Sequence, residues 1–247
     1  VPKSDQHLKK RKQKPKARTP RKKFFKHVPP WLRPKLAFLY SHAENRELFF
    51  DRIAEIFPRS DERFKLIEKA YDTAKSAFRH RWRSEKGVRY FEHLRAAALI
   101  GVVYLRLRDA NLIAALLLHD IIEDIPSWTQ EKIAREFNRE VADLVWWVSK
   151  PPKRHALETK EDVDRRYHRK LERAPRNAII IKLCDRLHNL ITLWSVNVRK
   201  MRDKVSETRD FIMPIAEEHQ LLIHEIEDVL RIVEKNNGFG KRSRKHR

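Results

Sequence analysis

Apolar residues recur at helical spacing through most of the chain from residue 46 onward. A helix over about 46–57 is stopped by Pro58. Ser60 or Asp61 can cap the next, which runs to about residue 80 with Phe64, Ile67, Ala70, Tyr71, Ala74 and Phe78 on one face. Residues 81–89 read as a basic loop containing Gly87. Two strongly apolar helices follow. One spans about 91–107; Asp109 caps the other, which runs through NLIAALLLHDIIED to the stop at Pro126. A helix restarts at about 129–136, and Asn138 caps another to 149 that buries Val141, Leu144, Val145 and Val148. Residues 153–176 are highly charged, and a helix over about 159–173 is expected to face solvent. The run NAIIIKLCDRLHNLITLWSVN at 177–197 has strand propensity at its start. Its apolar pattern continues without a turn signal, which favours a buried helix. Helices at about 204–218 and 220–235 close the pattern, and Asn236-Asn237-Gly238 ends the last. The fold class is all-α, a bundle of roughly ten helices.

Charge divides the chain. Its net charge of +22 is carried mostly by residues 1–27, at +11, and residues 241–247, at +5. The expected organisation is a disordered basic arm at 1–30, one globular domain at 31–236 and a basic tail at 237–247. Such ends attract polyanions without reading sequence, so contact with nucleic acid or the ribosome is a candidate partner role. The 4 glycines do not form a phosphate-cradling loop. The single cysteine, Cys184, excludes an intrachain disulfide and fits a reducing cytoplasm. No apolar run reaches the ~18–20 residues that a membrane helix needs, and no secretory signal is legible.

The chemistry gathers in the apolar segments. His119-Asp120 follows seven apolar residues, Leu112 to Leu118. A buried imidazole–carboxylate pair is costly unless it is hydrogen-bonded or holds a cation, and this donor set suits manganese, zinc or iron. Glu123 and Asp124 lie one helical turn beyond. Three carboxylates so close repel one another unless cations compensate. Asp185 ends another apolar run, with Asn189 on the same face, and His93 opens the helix before the His-Asp segment. Each alone has an ordinary explanation as a satisfied core group or a solvated helix end. The order His, His-Asp, Asp is the pattern of metal-dependent HD-type phosphohydrolases, in which a metal activates water and a nearby carboxylate orients it or shuttles its proton.

The match is closer than that general pattern. The segments RSEKGVRYFEHL, ALLLHDIIEDIPSWT, VADLVWWVSK, IIIKLCDRLHNLITL and ETRDFIMPIAEEHQLLIHEIEDVL resemble, in order, those of the hydrolase domain of RelA/SpoT proteins and small alarmone hydrolases, over about 64–232. The resemblance implies an HD-domain helical bundle and a reaction, dependent on manganese or another divalent metal, that removes the 3′-pyrophosphate from guanosine tetra- or pentaphosphate. It implies that His93, His119, Asp120 and Asp185 hold the metal and that Glu123 and Asp124 serve the attacking water. It also implies that Asn189 and Thr192 line the nucleoside pocket, that Arg83 or Arg81 contacts the base, and that Lys150 and Lys182 have phosphate or structural roles. Leu94 stands where the family has Pro, and Trp146-Trp147 where it has Asp-Gly. Two other functions fit the same residues: hydrolysis of another nucleotide or a nucleic-acid end, and a non-catalytic module that binds RNA or the ribosome.

Overall fold

The computed structural model describes residues 26–41, 45–84 and 88–239. Most of the basic arm and tail, and with them the expected polyanion contact, lie outside these residues, as does Gly87. Thirteen α-helices run through the described residues: α1 Phe38–Ser41, α2 Arg46–Ala54, α3 Glu62–Ala77, α4 Phe91–Leu99, α5 Ala110–Leu118, α6 Ile121–Asp124, α7 Gln130–Glu136, α8 Arg139–Val148, α9 Lys160–Leu171, α10 Arg176–Ile191, α11 Val198–Glu207, α12 Met213–His219 and α13 Ile223–Asn237. No β-strand occurs among the described residues; a single antiparallel bridge joins Trp82 to Arg89.

Two helices organise the rest. Every residue of α5 except Asn111 is buried, and α5 packs against α3, α4 and α8. A short helix that is apolar all round is stable only inside a core. The second is α10, buried from Ala178 to Ile191 except for Lys182 and Asn189, and packed against α4, α8, α12 and α13. No helix of the described residues is long and apolar enough to cross a membrane. Burial begins ahead of residue 31, at His27, Val28 and Pro29.

The caps form as the sequence predicts. Asp61 accepts from the Arg63 amide, Asp109 from the Leu112 amide and Asn138 from the Val141 amide. Three features differ from the helical pattern. The expected helix over 91–107 is α-helical only to Leu99 and then widens into a π-helical turn over Ile100–Tyr104. Gly101 in that turn lets α4 approach α5: a Cβ there would sit 2.7 Å from Leu116 Cδ1. The helix expected to run through His119-Asp120 instead ends at Leu118, and α6 begins at Ile121. Asp120 adopts φ −97° and ψ 0°, outside helical geometry. Finally, α9 is not a solvated helix. It buries Val163, Tyr167 and Leu171, four residues apart, and the Tyr167 hydroxyl donates to the Val148 carbonyl at 2.6 Å. A three-residue stripe is enough to dock it, and the surrounding charges hide that stripe in the sequence.

Arg186, the residue after Asp185, is 1% exposed. Its guanidinium donates to Glu207 Oε2 at 3.1 Å and to the Thr208 hydroxyl at 3.2 Å, and Nη2 lies 3.0 Å from Glu207 Oε1. This fork ties α10 to the end of α11, where a second π-helical turn over Thr208–Ile212 begins. Breaking a fully buried pair costs about 3–5 kcal/mol. Glu207 is about a quarter exposed, so Arg186→Met is expected to cost somewhat less, about 2–3 kcal/mol. Urea unfolding should show this as a lower midpoint at an unchanged m-value.

Candidate metal centre

The break after α5 matters because it aims the two members of the His-Asp pair at one point. His119 caps the end of α5, Asp120 occupies the turn, His93 comes from the first turn of α4 and Asp185 from the middle of α10. His93 Nε2 lies 3.3 Å from His119 Nε2 and 3.1 Å from Asp185 Oδ1. Asp120 Oδ2 lies 3.2 Å from His119 Nε2 and 3.6 Å from His93 Nε2. Donors bound at about 2.1 Å to one ion stand roughly 3–3.5 Å apart, so these spacings suit a shared cation. His93, His119 and Asp185 are buried and form a mutually close set that could hold a metal ion. Asp120 flanks this set and is 17% exposed.

The outer nitrogens of both imidazoles are already engaged. His119 Nδ1 lies 2.8 Å from the Leu116 carbonyl, which can only accept, so Nδ1 carries the proton and Nε2 is left for the centre. His93 Nδ1 lies 2.7 Å from His188 Nδ1. With the His93 proton on Nδ1, His188 accepts it and the His93 Nε2 lone pair also faces inward. Burial, with His93 adding to it, pushes His188 well below the usual imidazole range and keeps it a neutral acceptor. The carboxylates are held as well. Lys182 Nζ donates to Asp185 Oδ2 at 3.0 Å, Asn189 Nδ2 donates to Asp185 Oδ1, and the Tyr90 hydroxyl donates to Asp120 Oδ2 at 2.8 Å.

Without a cation, the cluster compensates its charge with a proton. Burial opposes protonation of His119, but Asp120 and Asp185 outweigh it and hold its pKa well above the ordinary value. Burial and the Arg83 charge lower His93 to about 4. Burial alone would raise Asp185, yet Lys182 and the two imidazoles hold it well below the usual carboxylate range. A divalent ion can take the place of the His119 proton, and the donor set fits one.

A cleft of about 780 Å³ opens over Asp120 and Asp185. Glu123 stands on its wall, where its Oε1 accepts the Lys150 amide at 2.6 Å. Glu123 keeps contact with solvent in the cleft, but crowding by protein and the nearby Asp120 push its carboxyl upward. Burial and Asp120 push Asp124 upward as well. Arg83 donates from one nitrogen to Asn189 Oδ1 and to the Thr192 hydroxyl, each at 3.1 Å, so these three sit together beside the centre. Arg81 lies elsewhere: it donates to the Asp124 carbonyl at 2.6 Å and does not line the cleft. The Lys150 ammonium lines the cleft but is paired with Asp164. His188 and Tyr90 were not among the residues the sequence singled out. Helical spacing did offer a signal for His188, three residues after Asp185 and hence on its face.

Comparisons with known proteins identify the family. The chain is 35% identical over 172 residues to the bifunctional (p)ppGpp synthase/hydrolase SpoT of Escherichia coli K12, a match covering 69% of this chain and 24% of that protein. It is 36% identical over 161 residues to the guanosine-3′,5′-bis(diphosphate) 3′-pyrophosphohydrolase of Haemophilus influenzae, covering 64% of this chain and 23% of that one. The chain therefore spans about a quarter of the length of these curated relatives. A solved structure described as a metazoan ortholog of SpoT that hydrolyzes ppGpp superposes with a TM-score of 0.60 at 21% identity, covering 67% of this chain and 94% of the other. That likeness establishes the all-helical fold. The HD-domain profile matches residues 70–220, more than half of the chain and a span that contains His93, His119, Asp120 and Asp185. The chain belongs to the HD-domain family.

Proposed function

We propose that this chain is a cytoplasmic pyrophosphohydrolase that uses manganese to remove the 3′-pyrophosphate of guanosine tetra- or pentaphosphate, leaving the 5′-di- or triphosphate. The observation that carries the reading is one juxtaposition. Asp185, a member of the cation-competent set with His93 and His119, lines the same cleft as Asp120, Arg83, Asn189 and Thr192. The names of the SpoT-like relatives supply the substrate class.

In this reading His93, His119, Asp120 and Asp185 hold the ion. When bound, it supplies Lewis acidity toward water and a phosphoryl oxygen. The other roles belong to the chain's own side chains. Glu123, raised toward neutrality and fixed by the Lys150 amide, accepts the proton of the attacking water. Asp124, also raised, supports that water from the next position. Lys182 keeps Asp185 ionised and turned inward. Arg83 presents a planar guanidinium to the base, and Asn189 and Thr192 anchor it on the nucleoside side.

Purified chain with manganese is expected to release pyrophosphate from guanosine tetraphosphate and not from nucleoside triphosphates. Asp185→Ala should lose both metal binding and turnover; turnover that survives metal-free in this variant would sink the assignment. Replacing His188 by Phe removes the acceptor that orients His93, and metal affinity should fall about 10- to 100-fold, read by manganese titration. Glu123 and Arg83 separate by kinetics. Glu123→Gln should lower kcat roughly 10²- to 10⁴-fold with metal affinity retained. Arg83→Ala should act chiefly on KM, by about tenfold for each ~1.4 kcal/mol of lost contact.

A further inference from the structure

Outside the cleft, a second cavity of about 360 Å³ lies among α3, the start of α4 and the segment that carries Arg83. Its lining holds four cations, Lys75, Arg79, Arg89 and Arg95, against one carboxylate, Glu92. Phe78 and Phe91, both buried, close its floor. Arg95 is 3% exposed: it donates to the Tyr71 hydroxyl at 3.1 Å, pairs with Glu92, and its buried Nε has no partner among the described residues. No carboxylate among the described residues pairs with Lys75, Arg79 or Arg89. Their surroundings make this unusual. Over α2, α3 and the loop between them, Arg46, Arg52, Arg59, Arg63, Lys65 and Lys69 each pair with an acid.

We propose that this cavity is a second anion site that takes an oligophosphate, either inorganic pyrophosphate or the phosphate chain of a nucleotide. Three cations that no carboxylate among the described residues pairs, set around a concave space and backed by a buried guanidinium with a spare donor, suit several phosphate oxygens at once. Its volume is within the range of small-molecule sites, roughly 300–1,000 Å³. The placement also ties it to the metal-site cleft. Val88 and Arg89 line the cavity, while the Arg83 amide bonds the Val88 carbonyl at 2.9 Å and the Tyr90 amide bonds the Arg81 carbonyl at 3.0 Å. The bridged segments that present Arg83 to the cleft thus also border this cavity, and an anion there would stiffen them.

Calorimetric titration of the full chain in EDTA with inorganic pyrophosphate, and in parallel with GDP, tests the site without requiring catalysis. The double variant Lys75→Ala/Arg79→Ala is expected to bind at least tenfold more weakly. A control, Arg59→Ala/Lys65→Ala, removes the same charge from exposed positions away from the cavity and should bind as the unaltered chain does. Equal weakening in both doubles, or none in the first, would overturn the proposal. Tighter binding of GDP than of pyrophosphate identifies the occupant as a nucleotide, and equal binding identifies the phosphate chain alone. Occupancy should slow hydrogen exchange at the Arg83 and Tyr90 amides; unchanged exchange would remove the link to the cleft.

Discussion

Carboxylates set inside an apolar helical core require positive charge beside them, and much of this structure is arranged around that requirement. Asp120 and Asp185 come from different parts of the chain and meet two imidazoles in a region walled by α4, α5 and α10. Desolvation alone would push both acids toward neutrality. Lys182, the protonated His119 and, in the functional reading, a divalent ion supply the compensation. The arrangement can discard the proton and accept the ion because the imidazoles are aimed before any ion arrives. The Leu116 carbonyl and His188 fix their outer nitrogens.

Aiming four groups at one point needs departures from ideal helices. A continuous helix through residues 110–124 would keep Asp120 on a regular helical face. Ending α5 at Leu118 lets Asp120 leave that geometry and turn toward His93 and His119. The π-helical turn after α4 and the missing side chain at Gly101 let α4 lie close to α5. Arg186 plays a corresponding role on the far side, where it ties the buried face of α10 to Glu207 and Thr208. Irregular backbone and buried charge therefore mark the places where site geometry outweighs local propensity.

Much of this was legible in the sequence. The capping residues Asp61, Asp109 and Asn138 and the buried helices around ALLLHD and IIIKLCD follow from spacing and polarity, while His93, His119, Asp120 and Asp185 stand out only as a set, through their likeness to the HD-type order. The hidden parts depend on tertiary contact. Helical periodicity does not distinguish an α-turn from a π-turn, so the change at Ile100 leaves no trace in the pattern. The docking of α9 rests on three apolar residues among charges. His188 reads as one more polar residue in an apolar helix until His93 is placed beside it from 95 residues away. Spacing also left Arg81 and Arg83 in competition, and only the hairpin geometry puts Arg83 in the cleft.

Arg83 links the Asn189 and Thr192 side of the cleft to the histidine cluster through its charge as well as its position. Its hydrogen-bond partners, Asn189 and Thr192, are neutral, and its guanidinium lies 5.8 Å from the centre of the Tyr90 ring. Its positive charge is therefore not cancelled by either hydrogen-bond partner. After burial, that charge is the next cause that lowers His93, and it lowers His188 too. Neutral imidazoles are what a cation needs as ligands. In the proposed function, the residue that contacts the base thus also holds His93 and its acceptor His188 neutral. By the same reasoning, replacing Arg83 with a neutral side chain changes the metal centre's proton balance without touching a ligand, because the two halves of the cleft share one electrostatic field.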